Sequence, residues 1–178
     1  MEKTLYQGNY LRLTEEEIQG HIFERVYLKD SVIVFPCDAQ GRLLFIEEYR
    51  AHETPQRRWK TVTGHIDPGD TPEATVKREL QEEIGYRANS MELLYHQVST
   101  GTVNTRVWIY LAWDLEPSKL PNPDGEETIL KVEALETSEW FQRILNGDLA
   151  RGPTAVELFK LYYSLQSGAR TLPPSPKT

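Results

Sequence analysis

The stretch from Thr71 to Gly85, TPEATVKRELQEEIG, carries the start and stop signals of one helix in the middle of the chain. Thr71 suits the N-cap, Pro72 the first helical position, and Glu73 the positive end of the helix dipole. Ala74, Val76, Leu80 and Ile84 form an apolar stripe, and Gly85 is the natural stop. That stripe needs a surface to cover, and the flanking segments read as strands. His21 to Leu28 and the β-branched run Ser31 to Cys37 precede it, the latter suited to burial on both faces. DAQG at 38–41 is a turn, Leu43 to Tyr49 returns as a strand, and Trp59 to Thr63 is a short one. Beyond the helix, strands are expected near 90–98, 106–115 and 128–135, then helices over 137–146 and 154–165. A rough alternation over 3–13 suggests a hairpin-like start. Strands on both sides of a central helix, with two helices at the end, define one mixed α/β domain.

Composition narrows the class. At roughly 150 residues per domain, 178 residues make about one. The single Cys37 has no internal disulfide partner, which favours a reducing compartment. No apolar run approaches the roughly 20 residues of a membrane span. With no signal-peptide core in MEKTLYQGNY, a cytoplasmic location is expected. The net charge of −7 disfavours bulk binding to nucleic acid or anionic membrane. It leaves room for one small anionic ligand held through a cation.

The chemistry sits in Arg78-Glu79-Leu80-Gln81-Glu82-Glu83. At 100° per residue, Glu79, Glu82 and Glu83 share one helix face within an arc of about 100°. Like charges so spaced repel by a few tenths of a kcal/mol per exposed pair. A solvated acidic face, partly paired by Arg78 and Lys77, is the plain alternative. The loop that enters the helix, Gly64-His65-Ile66-Asp67-Pro68-Gly69-Asp70, is rich in glycine and acid. Oxygen donors without clustered His or Cys suit Mg²⁺, with Mn²⁺ the other candidate. Magnesium held by a few carboxylates usually completes its shell with water and phosphate, which points to phosphate chemistry.

Residues 64–86 resemble the Nudix hydrolase box, Gly-x5-Glu-x7-Arg-Glu-U-x-Glu-Glu-x-Gly-U with U aliphatic. Here it reads Gly64, five residues, Asp70, seven residues, then Arg78-Glu79-Leu80-Gln81-Glu82-Glu83-Ile84-Gly85-Tyr86. Asp70 stands in place of Glu and Tyr86 in place of the aliphatic. The resemblance implies an α/β/α sandwich around a mixed β-sheet over residues 31–166, preceded by an N-terminal β segment over 1–30; the composition of 167–178, SGARTLPPSPKT, suggests a mobile tail. It implies that Glu79, Glu82 and Glu83 ligate a divalent metal with the backbone carbonyl near Thr63. Arg78 would orient the glutamates, while Gly64, Asp70 and Gly85 would be structural. The implied reaction is attack of water, activated by metal, on a diphosphate phosphorus.

Wider similarity, over most of residues 3–166, is to the ADP-ribose and nucleoside-diphosphate-sugar pyrophosphatases. It implies a homodimer whose N-terminal segment helps build the partner's site, and a nucleotide substrate. Those relatives carry Ser-Pro-Gly beyond the box, then a Glu that activates water. This chain reads Ser99-Thr100-Gly101-Thr102-Val103-Asn104-Thr105-Arg106, with no carboxylate there. A base is therefore expected at Glu127, with Asp124 and Glu126 as neighbours, or within the box at Glu79 or Glu82. Arg50, Arg58, Trp59 and Arg106 are the expected substrate contacts, the arginines because their forks match phosphate oxygens. Arg57, Lys60 and Trp108 are weaker candidates. Two other readings stay open: hydrolysis of nucleoside triphosphates, dinucleoside polyphosphates or RNA 5′ ends, and a nucleotide sensor without turnover.

Overall fold

A computed structural model describes residues 1–121, 128–150 and 152–173. Its strands are β1 (Lys3–Gln7), β2 (Leu11–Ile18), β3 (His21–Leu28), β4 (Ser31–Pro36), β5 (Leu43–Tyr49), β6 (Arg57–Lys60), β7 (Val62–His65), β8 (Tyr86–Ser99), β9 (Val103–Pro117) and β10 (Thr128–Leu135). Its helices are α1 (Pro72–Glu79), α2 (Thr137–Leu145) and α3 (Pro153–Gln166). A seven-stranded sheet runs β1-β2-β3-β9-β4-β7, with β8 along the other edge of β9. A three-stranded sheet runs β10-β5-β6. The larger sheet is mixed, because β9 pairs in parallel with β3 and β4 and antiparallel with β8.

The uninterrupted apolar runs of β4 and β5 are explained by the two-residue period of a strand. Val32, Val34, Leu44 and Ile46 point to one layer, where Val76 and Leu80 of the central helix pack with Val62, Tyr110 and Ala112. Ile33, Phe35, Leu43 and Phe45 point to the other, where Trp140 of α2 and Leu158 and Leu161 of α3 pack with Ile109 and Leu111. Helices thus cover both faces, the α/β/α arrangement expected. Cys37 lies fully buried in the second layer, and burial pushes its thiol up to about 12.

Three features differ from the reading of the sequence. The helix expected over 71–84 is α-helical only to Glu79; Leu80–Ile84 form a π-helical turn closed by Gly85 at φ 77°. The Trp59–Thr63 segment is split at Thr61 into strands of different sheets. Residues 168–173 run back onto the domain, with Arg170 Nη1 2.6 Å from Glu92 Oε2 and Leu172 packed on the second layer.

Candidate active site

Thr71 caps α1 through its hydroxyl, which accepts from the Ala74 amide at 3.2 Å. This start fixes the rotation of the helix, so that Val76, Leu80 and Ile84 face the core while the glutamates face β7 and the loop after it. Glu79, Glu82 and Glu83 are only 8%, 8% and 4% exposed. They are therefore not the solvated acidic face that was the plain alternative.

Glu79 Oε1 and Glu82 Oε2 each lie 2.8 Å from Arg78 Nη1, so two carboxylate oxygens bracket one positive centre. Arg78 Nη2 donates to the His65 carbonyl at 3.2 Å, tying the helix to the loop. Glu83 turns the other way. Its Oε1 accepts from Lys60 Nζ at 2.7 Å and its Oε2 from the Thr63 amide at 3.2 Å. Burial pushes the Glu79 carboxyl up to about 8; Arg78 pulls it down, and Glu83 and Glu82 add to the rise. Burial also raises Glu83, against the pull of Lys60 and the Thr63 amide. A Cβ at Gly64 would overlap the Glu79 carboxylate, so glycine is the residue that lets this side chain lie across β7. Among the described residues no three His, Cys, Asp or Glu groups converge on one point. The donor set nevertheless fits a hard cation: two buried carboxylates already share a cationic neighbour, and one of them is held near its protonated form without more positive charge.

The cleft around these groups has a volume of about 490 Å³ and includes Arg50, Thr63, Gly64 and Thr154 of the expected regions. It also includes His65 and Asp67 of the loop that enters the helix, together with Tyr10 and Lys29, which the sequence did not single out. Lys29 Nζ lies 2.8 Å from Asp67 Oδ1, and the Tyr10 and His65 rings sit 5.3 Å apart. The sequence signal for Tyr10 and Lys29 was weak, since they come from a turn and a strand end far from the box in the chain. A second cavity of about 390 Å³ shares Thr63 and Thr154 with the cleft and holds Arg58, Trp59 and Lys60. A larger cavity, about 800 Å³, lies elsewhere, between Asp38, Arg42, Tyr86 and Trp113. It holds none of the box glutamates.

Other candidates are placed as follows. Arg58 pairs with Glu48 and with Glu53, the latter at 2.8 Å, and Arg50 contacts the same two carboxylates. The Trp59 ring lies beneath Lys131 and Arg143 and against the second core layer. Arg106 is not in the cleft; it pairs with Asp30 at 2.7 Å. Trp108 stacks on His96. The Asp70 amide closes a turn onto the Asp67 carbonyl, and its side chain is exposed. Asn104 clasps the β8–β9 turn, donating to the Gly101 carbonyl at 2.9 Å, which gives the departure at 99–106 a structural use. Asp124, Glu126 and Glu127 lie outside the described residues.

In sequence and in fold, the chain is similar to known proteins. The chain belongs to the Nudix family: the NUDIX domain is matched over residues 27–150. It is a hydrolase of that family. An ADP-ribose pyrophosphatase of Mycobacterium tuberculosis is 27% identical over 154 residues, covering 83% of this chain and 74% of the relative. An RNA pyrophosphohydrolase of Yersinia enterocolitica is 29% identical over 96 residues, 50% of this chain and 47% of the relative. The chain thus spans about half the length of that second relative. In fold, it superposes on a solved ADP compounds hydrolase with a TM-score of 0.75 at 20% identity, covering 94% of this chain and 93% of the other.

Proposed function

We propose that this chain is a Mg²⁺-dependent pyrophosphohydrolase of nucleoside-diphosphate sugars, ADP-ribose among them, releasing a nucleoside monophosphate and a sugar phosphate. The observation that carries this reading is the pair of buried carboxylate oxygens, on Glu79 and Glu82, that bracket one cationic centre at 2.8 Å in a cleft rimmed by Arg50 and Lys29. Glu79, Glu82 and Glu83 would hold the cation, with the backbone carbonyl near Thr63. When bound, the cation supplies charge neutralisation on the diphosphate oxygens and makes water a stronger nucleophile. Arg78 holds the two glutamates in place. Arg50, Lys29 and Arg58 supply positive charge for the diphosphate, and the Tyr10–His65 pair offers an aromatic surface at the rim. Water adds to one phosphorus, the bridging oxygen leaves on the other phosphate, and a carboxylate takes the water's proton. The proposed base is Glu127, or Glu79 or Glu82 within the box.

The relative named for ADP-ribose matches this chain over 154 residues, against 96 for the one named for RNA, which favours a nucleotide sugar over an RNA end. A homodimer is part of the reading. Tyr6, Leu11 and Leu28 are exposed on one face of β1–β3, where Tyr6 pairs with Leu13, Leu13 with Val26 and Leu11 with Leu28. A panel of ADP-ribose, other nucleotide sugars, nucleoside triphosphates and 5′-triphosphorylated RNA, followed by chromatography of products with Mg²⁺, tests the substrate class. Two phosphomonoesters from the nucleotide sugars at the highest rate are expected. Faster release of pyrophosphate from triphosphates or RNA contradicts the reading, and tight ADP-ribose binding without product points to a sensor.

A further inference from the structure

The π form of Leu80–Ile84 is tied to the strap that follows β9 by an exchange of hydrogen-bond partners. In an α-helix the Gly85 amide would donate to the Gln81 carbonyl, four residues back. Here it donates to the Leu80 carbonyl, five residues back. The Gln81 carbonyl accepts instead from the Leu120 amide at 3.2 Å, and the Glu82 carbonyl from Lys119 Nζ at 2.5 Å. The Ser118 amide donates to the Gly85 carbonyl at 2.8 Å, and the Gln81 side-chain amide donates to Ser118 Oγ at 2.7 Å. The Lys119 stem lies over Gly85, where an added Cβ would stand 3.3 Å from its Cδ. These bonds supply partners that the last carbonyls of a helix lack, and an ammonium there also suits the negative end of the dipole. The turn they hold carries Glu82 and Glu83, which reach different partners: Glu82 lies beside Glu79 on Arg78, and Glu83 accepts from the Thr63 amide at 3.2 Å.

We propose that Ser118–Leu120 is a clamp that holds the last turn of the box helix in its π form and so fixes where Glu82 and Glu83 stand relative to Glu79, with Lys119 a positioning residue for the hydrolysis. The inference rests on the metal-dependent reading above and deepens it. Lys119 acts through the backbone, since its ammonium meets a carbonyl rather than a carboxylate. This sets the sign of its effect. Removing a positive charge near a cation site strengthens cation binding by Coulomb attraction alone. Removing a clamp that places the carboxylates weakens it.

Two measurements on the full chain test this. Nitrogen–carbon couplings across hydrogen bonds, read by NMR without metal, report which carbonyl the Gly85 amide uses. Titration with Mn²⁺ alone, followed by electron paramagnetic resonance, reports the ion site. In the wild type the Gly85 amide should couple to Leu80. Lys119→Met should move that coupling to Gln81 and weaken Mn²⁺ binding by about tenfold or more, as loss of a group that orients metal ligands does. Lys119→Arg, which offers a donor to the same carbonyl, should restore both. Ser118→Ala, which removes the acceptor of the Gln81 side chain, probes the same contact should Lys119→Met not fold, and both readouts should shift in the same direction. A Gly85–Leu80 coupling that survives in folded Lys119→Met overturns the inference alone, as does Mn²⁺ binding there that is unchanged or tighter. A wild type that binds no Mn²⁺ overturns the functional reading, and the positioning role falls with it.

Discussion

Gly64 has no room for a side chain, because a Cβ there would overlap the Glu79 carboxylate. Gly64→Ala should push Glu79 off Arg78, lowering hydrolysis by about 10²-fold, as loss of one preorganised electrostatic group does. Stability should fall by about 1–3 kcal/mol from overpacking; product assays and urea unfolding measure the two effects. Glu79 also sets a pH dependence. Its carboxyl is raised from an ordinary 4.5 to about 8 by burial. Below 4.5 both folded and unfolded chains hold the proton, so its contribution is fully present. As pH rises the unfolded chain ionises first, and stability is lost until the folded carboxyl ionises near 8. Metal-free protein should therefore lose up to about 1.4 kcal/mol per pH unit within that window, and Glu79→Gln should lose this component. Denaturant midpoints with a chelator present, taken from pH 4.5 to 8.5, decide the point. A flat profile in the wild type contradicts the assignment. Glu79, Glu82 and Arg78 were legible in the sequence because their spacing and the helix period are both local. Lys29 and Tyr10 were not, since only the fold brings them to this cleft.

Among the elements, the central helix was the most legible, because Thr71, Pro72 and Gly85 mark its ends by local chemistry. Its last turn was not. Leu80 to Ile84 adopt the wider π form, while the strap after β9 holds them: Ser118 donates to the Gly85 carbonyl at 2.8 Å and Lys119 Nζ to the Glu82 carbonyl at 2.5 Å. These contacts cross 33 and 37 positions of sequence, beyond the reach of periodicity. Gly85 at φ 77° closes the turn, and Gly85→Ala should destabilise the protein by about 1–2 kcal/mol through the left-handed backbone. Thermal unfolding of that variant measures it. The strands of the sandwich were read from their apolar runs, but the split at Thr61 was not. A buried hydroxyl bonding the Val34 carbonyl is what turns the chain there from one sheet to the other.

At the scale of the whole molecule, two helical layers on a mixed sheet frame the cleft where β7, the box helix, the Tyr10 turn and α3 meet. The three-stranded N-terminal unit joins that body through β3 and β9, pairing Val26 with Val103 and Tyr27 with Asn104. Its exposed apolar face should bury itself in a second copy. Sedimentation equilibrium should then give a dimer, and charged substitutions at Leu11 and Leu28 a monomer; a monomeric wild type contradicts this part of the reading. No helix among the described residues is long and apolar enough to cross a membrane. The most direct test of the central claim is phosphorus NMR of ADP-ribose incubated with the protein. Cleavage to AMP and ribose 5-phosphate should require added Mg²⁺ and fall by about 10²–10³-fold in Glu82→Gln. Equal cleavage by Glu82→Gln, or cleavage unaffected by a chelator, would contradict the assignment of chemistry to this pair of carboxylates.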